Sequence, residues 1–301
     1  MSWLLFAFSG PVLWAISTHL DKYLVERFFK DTSVAVLLVF TALMGLALLP
    51  FIWAFDPDAM HVPLLSALVI VASGLLYMGA IYFYLQALQS EEASTVAPFF
   101  QASPLFAYAL GYVVLGETLS AEQLIGGGLI VAGAVLLSIR PGVAGTFKTR
   151  LVVLMLTCAL CVALSSLIFK VFAVSNEFWA TTFWTFVGQA IIGAAILAVP
   201  SYRRQFVDLF KVHTAALISI NASNELINLG GGLGARYALV LAPLGIVQAI
   251  TSTSTLFVFL FGMAISVFFP AFGREDLSAT ELVKKALSAA LIVAGVILIS
   301  R

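Results

Sequence analysis

Charged residues are scarce in this 301-residue chain. Only 10% of its residues are Asp, Glu, Lys or Arg, against ~25% in a typical soluble domain. Hydrophobic residues make up 62%, which is more apolar surface than a soluble fold of this length can bury. The 15 basic and 15 acidic residues cancel, so the net charge gives no indication of a nucleic-acid partner. The composition predicts an integral membrane protein whose main partner is the lipid bilayer.

Cysteine is also scarce. The chain has two, Cys158 and Cys161, and they lie in one apolar run. A C-x-x-C metal or redox site requires polar surroundings and further ligands, which this run does not provide, so we interpret the pair as small buried residues on one helix face. The phosphate-binding motif G-x-x-x-x-G-K-[ST] is missing too, so ATP is not the predicted energy source. No metal, cofactor or enzyme activity is predicted.

Long apolar segments dominate the sequence instead. The amino terminus lacks the basic region and cleavage site of a signal peptide, so we expect its first apolar segment to remain as a span. A helix needs about 20 apolar residues to cross a bilayer. Ten such segments occur, at residues 3–23, 33–55, 63–88, 94–115, 121–139, 151–172, 179–199, 214–237, 243–268 and 282–300. The predicted fold is an all-α, multi-pass protein of the cell (inner) membrane, as a monomer or a homodimer.

The second half of the chain repeats the first in the same order. The matching segments are WAISTHLDKYL (14–24) with VALSSLIFKVF (162–172), GAIYFYLQAL (79–88) with GARYALVLAP (234–243), QASPLFAYALGY (101–112) with STSTLFVFLFGM (252–263), and LIVAGAVLLSIR (129–140) with LIVAGVILISR (291–301). Five spans per copy give the two copies opposite orientations. We therefore predict two inverted five-helix repeats, 1–145 and 146–301, a plan that secondary transporters use with the binding site between the halves.

One segment carries a family resemblance. Residues 93–138, ASTVAPFFQASPLFAYALGYVVLGETLSAEQLIGGGLIVAGAVLLS, contain a proline-bearing span, a G-E-x-L-S turn and a glycine-rich span whose small residues predict close helix packing. In these features the chain resembles the EamA-like family of the drug/metabolite transporter superfamily. Lys22 and Lys170 fall where such proteins often carry a basic residue. The second copy departs from the turn motif, with FFPAFGREDLS. The resemblance implies a ten-helix carrier of small metabolites, often an exporter, with a cavity between its halves.

A concentrated polar stripe lies in the eighth predicted span, in the segment NASNELINLGGG at 221–232. Asn221, Asn224, Glu225 and Asn228 share one helix face by their spacing, and Arg236 continues it. Such a face cannot contact lipid, so it must face the protein interior or a water-filled cavity. We predict that Glu225 couples transport to protons or another ion and that the three asparagines bind substrate.

These roles have structural alternatives. Glu225 is alternatively a permanently neutral acid, or an ion pair with Arg236. The asparagines are alternatively hydrogen-bonding links between helices, which are common in membrane bundles. Arg236 is a candidate for gating or charge pairing, or extends to the membrane interface.

Further candidates for substrate binding lie on other spans. They are Gln248 and Ser252 on the ninth span, Gln101 on the fourth, Tyr77 and Tyr82 on the third, and Trp14 on the first. A serine hydroxyl can return to the carbonyl four residues earlier, which weakens the case for Ser252. An aromatic ring at cavity depth can stack on a planar or cationic ligand or serve only in packing. Lys22 and Lys170 are candidates for gating or charge, or mark charged helix ends, and loop acids such as Glu117 are expected to be solvated.

The orientation of the chain stays open. Twelve of the 15 basic residues fall in loops on one side of the predicted bundle, which by the positive-inside rule places both termini outside the cytoplasm; the family resemblance implies cytoplasmic termini. The predicted function is secondary transport of a small organic metabolite, such as an amino acid, an amine or a similar amphiphile, by alternating access, with protons as the candidate coupling ion. The alternatives are an uncoupled facilitator, a membrane-embedded enzyme or a scaffold.

Overall fold

The structure is a computed structural model that describes residues 2–28, 33–90, 96, 99, 102–138, 149–212, 214–268 and 278–299. These residues form helices joined by short turns, and no strand occurs among them. The helices are α1 (Ser2–Arg27), α2 (Val34–Phe55), a 3-10 turn (Pro57–Met60), α3 (Leu64–Ser90), α4 (Ala102–Leu115), α5 (Ala121–Ser138), α6 (Thr149–Asn176), α7 (Phe178–Ala198), α8 (Pro200–Val212), α9 (Thr214–Leu241), α10 (Leu244–Thr251), α11 (Ser254–Phe268) and α12 (Ala279–Ile299). The all-α prediction is confirmed for this part of the chain.

The helices fit a polytopic membrane protein. Six helical stretches are long and apolar enough to cross a bilayer, namely Trp3–Val25, Val34–Phe55, Leu64–Gln89, Thr149–Val174, Phe178–Ala198 and Leu244–Ile265. Three shorter apolar helices, Ala102–Leu115, Ala121–Gly133 and Ala286–Leu298, accompany them. Helix α9 falls outside both groups because its polar stripe lowers its mean hydropathy. The layout of ten spans in two inverted repeats remains a prediction.

Most of the close helix packing joins the first half of the chain to the second. Helix α1 packs along α9, α3 along α6, α5 along α12 and α2 along α7. Helix α4 contacts α6 and α10, while α1 also contacts α11. The glycine-rich α5 packs as its small residues predict, because Gly133 lies directly against the backbone of Ser288 on α12. The core is therefore built between the two halves rather than within each.

Helices α3 and α7 cross at two glycines. A Cβ added at Gly74 would clash with the carbonyl oxygen of Thr185, and one at Gly188 would clash with that of Val71. Beside this crossing, the hydroxyls of Ser73 and Thr185 lie 3.2 Å apart. Small residues let helix backbones approach closely in membranes, where packing contacts drive association. The crossing fixes α3 and α7 at backbone contact.

Helix α8 was not expected from the search for spans, which predicts a connection at 200–213. Its segment PSYRRQFVDLFKV is too short to span a membrane but is amphipathic. Leu209 is buried, Arg203 and Arg204 are exposed, and the ring of Phe206 lies 5.3 Å from that of Phe40 on α2. Apolar residues at helical spacing in a short polar segment explain a surface helix that packs one face on the bundle.

The cysteines lie on α6. Cys158 is buried and Cys161 partly buried, and both are free thiols. No group of three His, Cys, Asp or Glu side chains that could hold a metal ion occurs in the described ranges.

Candidate functional site

A small pocket lies between α2, α3, α7 and α9. Its lining residues are Thr41, Met44 and Gly45 from α2, Tyr77 from α3, Phe186 and Gln189 from α7, and Glu225, Asn228, Leu229, Gly232, Leu233 and Arg236 from α9. Two of these helices belong to the first half of the chain and two to the second. Helix α9 supplies the largest share of the wall, because Glu225, Asn228, Gly232 and Arg236 recur on one face at successive turns.

Glu225 is held at the pocket by a hydroxyl group. The Oγ1 of Thr41 donates a hydrogen bond of 2.7 Å to Oε1 of Glu225, and the side chain is only 6% exposed. No basic side chain of the described residues forms an ion pair with it. The alternative ion pair with Arg236 is therefore wrong, although both residues line the same pocket. Eleven positions separate them along α9, which is a rise of about 16 Å.

Arg236 lies among aromatic rings at the other end of the pocket. Its guanidinium carbon is 5.1 Å from the ring centre of Phe186, 5.4 Å from that of Phe169 and 5.8 Å from that of Tyr77. These distances are typical of cation–π contacts. Within the described chain it makes no hydrogen bond or ion pair. The side chain thus turns into the bundle rather than extending to the membrane interface.

Asn224 contacts α1 instead of the pocket. Its Oδ1 accepts a hydrogen bond of 2.6 Å from Ser17 Oγ, and its Nδ2 donates one of 2.7 Å to Oδ1 of Asp21. Asn221 is 1% exposed, and neither atom of its amide has a hydrogen-bond partner among the described residues. Asn228 is the one asparagine of the three that lines the pocket. These contacts favour an interhelical role for Asn224, and they involve Asp21, which the sequence analysis did not single out.

Gln248 forms hydrogen bonds between helices. Its Nε2 donates 2.8 Å to Ser166 Oγ on α6, and its Oε1 accepts from Ser103 of α4 at 3.4 Å. Ser252 returns its hydroxyl to the backbone oxygen of Gln248 at 3.2 Å, where α10 ends and α11 begins after a short turn. Neither Gln248 nor Ser252 lines the pocket described above. Gln101 lies outside the described residues.

The aromatic residues predicted to bind substrate also divide into one that lines the pocket and two that pack elsewhere. Tyr77 lines the pocket. Trp14 packs across the α1–α9 contact, where a Cβ at Gly231 would lie 3.1 Å from its Nε1. The hydroxyl of Tyr82 accepts a hydrogen bond of 3.1 Å from Gln86, and its ring packs 5.8 Å from Phe83.

Lys170 joins an ion pair that the sequence analysis missed. Its Nζ lies 2.7 Å from Oε1 of Glu117 and donates to the backbone oxygen of Ala242. The other carboxylate oxygen of Glu117 accepts the backbone N–H of Leu244, the first residue of α10, at 2.9 Å. The expectation that Glu117 is solvated is wrong, since its side chain is only 17% exposed. Lys22, near the end of α1, is partly buried and also interacts with a neighbour.

The G-E-x-L-S turn explains this arrangement. Gly116 has φ of +64°, a conformation that favours glycine, and this turn reverses the chain after α4. Gly111 provides the space, because a Cβ there would lie 2.7 Å from Oε2 of Glu117. A carboxylate at a helix amino terminus is stabilised by the unpaired N–H groups there. The motif is therefore a structural link from the α4–α5 turn to α6 and α10.

Two pocket residues were missed because each is a lone polar group in an apolar span. Thr41 can satisfy its hydroxyl within its own helix, so the sequence pattern did not single it out as a pocket residue. Gln189 has no such local partner, and a glutamine within an apolar run was the signal available. It is buried, and a Cβ at Gly45 would lie 3.3 Å from its Oε1.

Comparison with known proteins gives a family and a fold. Residues 1–139 match the EamA-like transporter family. No curated protein shows significant similarity to the sequence. A solved crystal structure superposes with a TM-score of 0.70 at 16% sequence identity, over 99% of this chain and 95% of that chain. At that identity the likeness establishes that the overall fold is shared with a solved protein.

Proposed function

We propose that the chain, whose residues 1–139 match the EamA-like transporter family, is a secondary transporter of a small organic solute in the cell (inner) membrane. The family suggests a membrane transporter of the drug/metabolite type. The proposed mechanism is alternating access between two inverted five-helix halves, residues 1–145 and 146–301. The solute is an amino acid, an amine or a similar amphiphile, and the proposed direction is export.

The helix pairing supports two related halves. If each helix is replaced by its counterpart in the other half, the contact between α1 and α9 becomes the contact between α6 and α3. Both contacts are extensive. The same exchange relates α4–α6 to α11–α1, and it maps α2–α7 and α5–α12 onto themselves. A pseudo-two-fold relation between repeats generates this pattern, and inverted repeats of this kind underlie many secondary transporters.

The single observation that carries the proposal is the composition of the pocket between the halves. An acid, an amide and a guanidinium line it with aromatic and aliphatic side chains. A site with a few convergent polar groups in an apolar wall is typical of small-molecule binding. Glu225, which has no basic partner among the described residues, supports proton coupling, because a carboxylate exposed alternately to each side can take up and release a proton.

The competing functions make different demands on the site. An enzyme acting on lipid-linked substrates requires several catalytic groups together near the membrane interface, whereas the pocket contains one carboxylate. A scaffold does not need a polar pocket between its halves. An uncoupled facilitator needs the pocket but not the acid, so it remains the second candidate.

Transport by purified protein in lipid vesicles tests the proposal. Vesicles containing the protein are expected to exchange labelled neutral amino acids or amines faster than protein-free vesicles, and a pH gradient is expected to drive net accumulation. Exchange without gradient-driven accumulation would favour the facilitator. The absence of flux for amino acids, amines and related amphiphiles would overturn the substrate class.

Leucine substitutions are expected to separate two asparagines of the stripe. Asn224→Leu should lower the free energy of unfolding by about 1–3 kcal/mol, because Ser17 and Asp21 lose their partner in a buried setting. Asn228→Leu should leave thermal stability unchanged and weaken solute binding, because Asn228 lines the pocket. Thermal melting and solute titration of both purified variants provide the measurement. Equal stability losses for the two variants would contradict this division.

A further inference from the structure

We propose that Arg236 binds the anionic group of the solute, so that the compound carried has a carboxylate. This inference rests on the proposed transport function and narrows its substrate class. The supporting observation is that the guanidinium of Arg236 lines the pocket beside three aromatic rings and has no acid partner in the described ranges.

The contacts of Arg236 leave its hydrogen-bonding capacity unused. Aromatic rings attract a cation through their π faces and provide no conventional acceptor, whereas a guanidinium has five N–H donors directed outward in its plane. No acceptor for these donors occurs among the residues that the structure describes. Arg236 is partly buried and lines the pocket, so its free N–H donors are available to an anionic group that enters there.

The wall of α9 is open beside Arg236. Gly232 lies one turn before Arg236 and lines the same pocket, and a Cβ placed there would meet no atom within 4 Å. No side chain at that turn of α9 therefore blocks the approach of an anionic group to the guanidinium.

The charges select among solute classes. One guanidinium matches the geometry and charge of one carboxylate, which it can bind through two parallel hydrogen bonds. Arg236 is the single basic residue in the lining and Glu225 the single acidic one. A phosphate dianion would have one cation to bind and would also meet the acid. A simple amine would leave Arg236 unpaired, whereas a solute with one carboxylate provides its partner.

The test compares a neutral amino acid with the amine formed by removing its carboxylate, such as leucine and isoamylamine. Both are titrated into purified wild-type protein, Arg236→Gln and the control Arg203→Gln, whose arginine is exposed on α8. Wild type and R203Q are expected to bind leucine at least ~10-fold more tightly than the amine, as a charge-assisted bidentate pair implies. R236Q is expected to lose this preference while its affinity for the amine is unchanged.

Three outcomes would overturn the inference. A wild-type protein that binds the amine as tightly as leucine excludes a carboxylate site, and so does an R236Q variant that keeps the wild-type preference; both leave the transport proposal standing. A wild-type protein that binds neither compound rejects the inference and the proposed substrate class together. If R236Q does not fold, Arg236→Lys is the variant to compare, because lysine keeps the charge without the planar fork. Its affinity for leucine should fall while its affinity for the amine is unchanged. An equal loss of affinity for both compounds would reject the site.

Discussion

Glu225→Gln is expected to abolish solute uptake driven by a pH gradient while leaving solute exchange at least partly intact. Glutamine cannot take up or release a proton, whereas exchange of one solute molecule for another needs no net change in protonation. The fold should tolerate the change, because the amide oxygen of glutamine can still accept the hydrogen bond from Thr41. Gradient-driven accumulation should fall to the level of protein-free vesicles, measured with labelled solute in reconstituted vesicles.

The matched control for this variant is Glu122→Gln. Glu122 is an exposed carboxylate in the first turn of α5, so its replacement removes the same charge away from the pocket and should leave both activities unchanged. Normal gradient-driven uptake by E225Q would remove Glu225 from the coupling mechanism. Asp21→Asn would then be the next variant to examine, because Asp21 is the acid bonded to α9 through Asn224.

Gly74→Ala is expected to destabilise the protein strongly. Its added Cβ would clash with the carbonyl oxygen of Thr185 and come within 3.0 Å of the backbone of Gly188. Both are backbone atoms, so the clash is relieved only if α3 and α7 separate. Overpacking of side chains in a core typically costs about 1–3 kcal/mol, and we expect this backbone clash to reach the upper end of that range. A lower melting temperature and a lower yield of folded protein in detergent would record it.

Gly79→Ala provides a control on the same helix. A Cβ at Gly79 meets no atom within 4 Å, and alanine is favoured over glycine in a helix by up to ~1 kcal/mol, so this variant should be as stable as wild type or more stable. Similar melting temperatures for G74A and G79A would show that α3 and α7 do not depend on the close crossing. Because Phe186 and Gln189 of α7 line the pocket, G74A should also impair solute binding in the folded fraction.

The contrast between Asn224 and Glu225 shows where the sequence stops being informative. Both belong to the polar stripe, and their spacing places both on the inner side of α9. Neighbouring positions on a helix nevertheless differ by about 100° around its axis. That rotation directs Asn224 to Ser17 and Asp21 of α1, and Glu225 to Thr41 of α2. Helical periodicity determines these angles, but the neighbouring helix that lies opposite each side chain is determined by the packing.

The Glu117–Lys170 pair illustrates a second limit. The G-E-x-L-S motif was visible as a turn, and Lys170 as a basic residue late in its helix. Their contact joins positions 53 residues apart, and it requires the space left by Gly111. Hydrophobic periodicity contains no signal for a pair of this kind, because each partner taken alone resembles a charged helix end.

By itself the sequence determined that this protein is helical and suited to a membrane, because a chain with few charges and long apolar runs must satisfy its backbone hydrogen bonds within helices. It also determined that α9 carries the polar stripe, because helical periodicity fixes which residues share a face. Tertiary structure alone decided that Glu225, Asn228 and Arg236 meet Thr41, Tyr77 and Gln189 at one pocket, while Asn224, Gln248 and Trp14 serve contacts between helices. The physical reason is that a polar side chain in a membrane helix can be satisfied equally well by a neighbouring helix or by a ligand, and only the position of the neighbouring helix distinguishes the two.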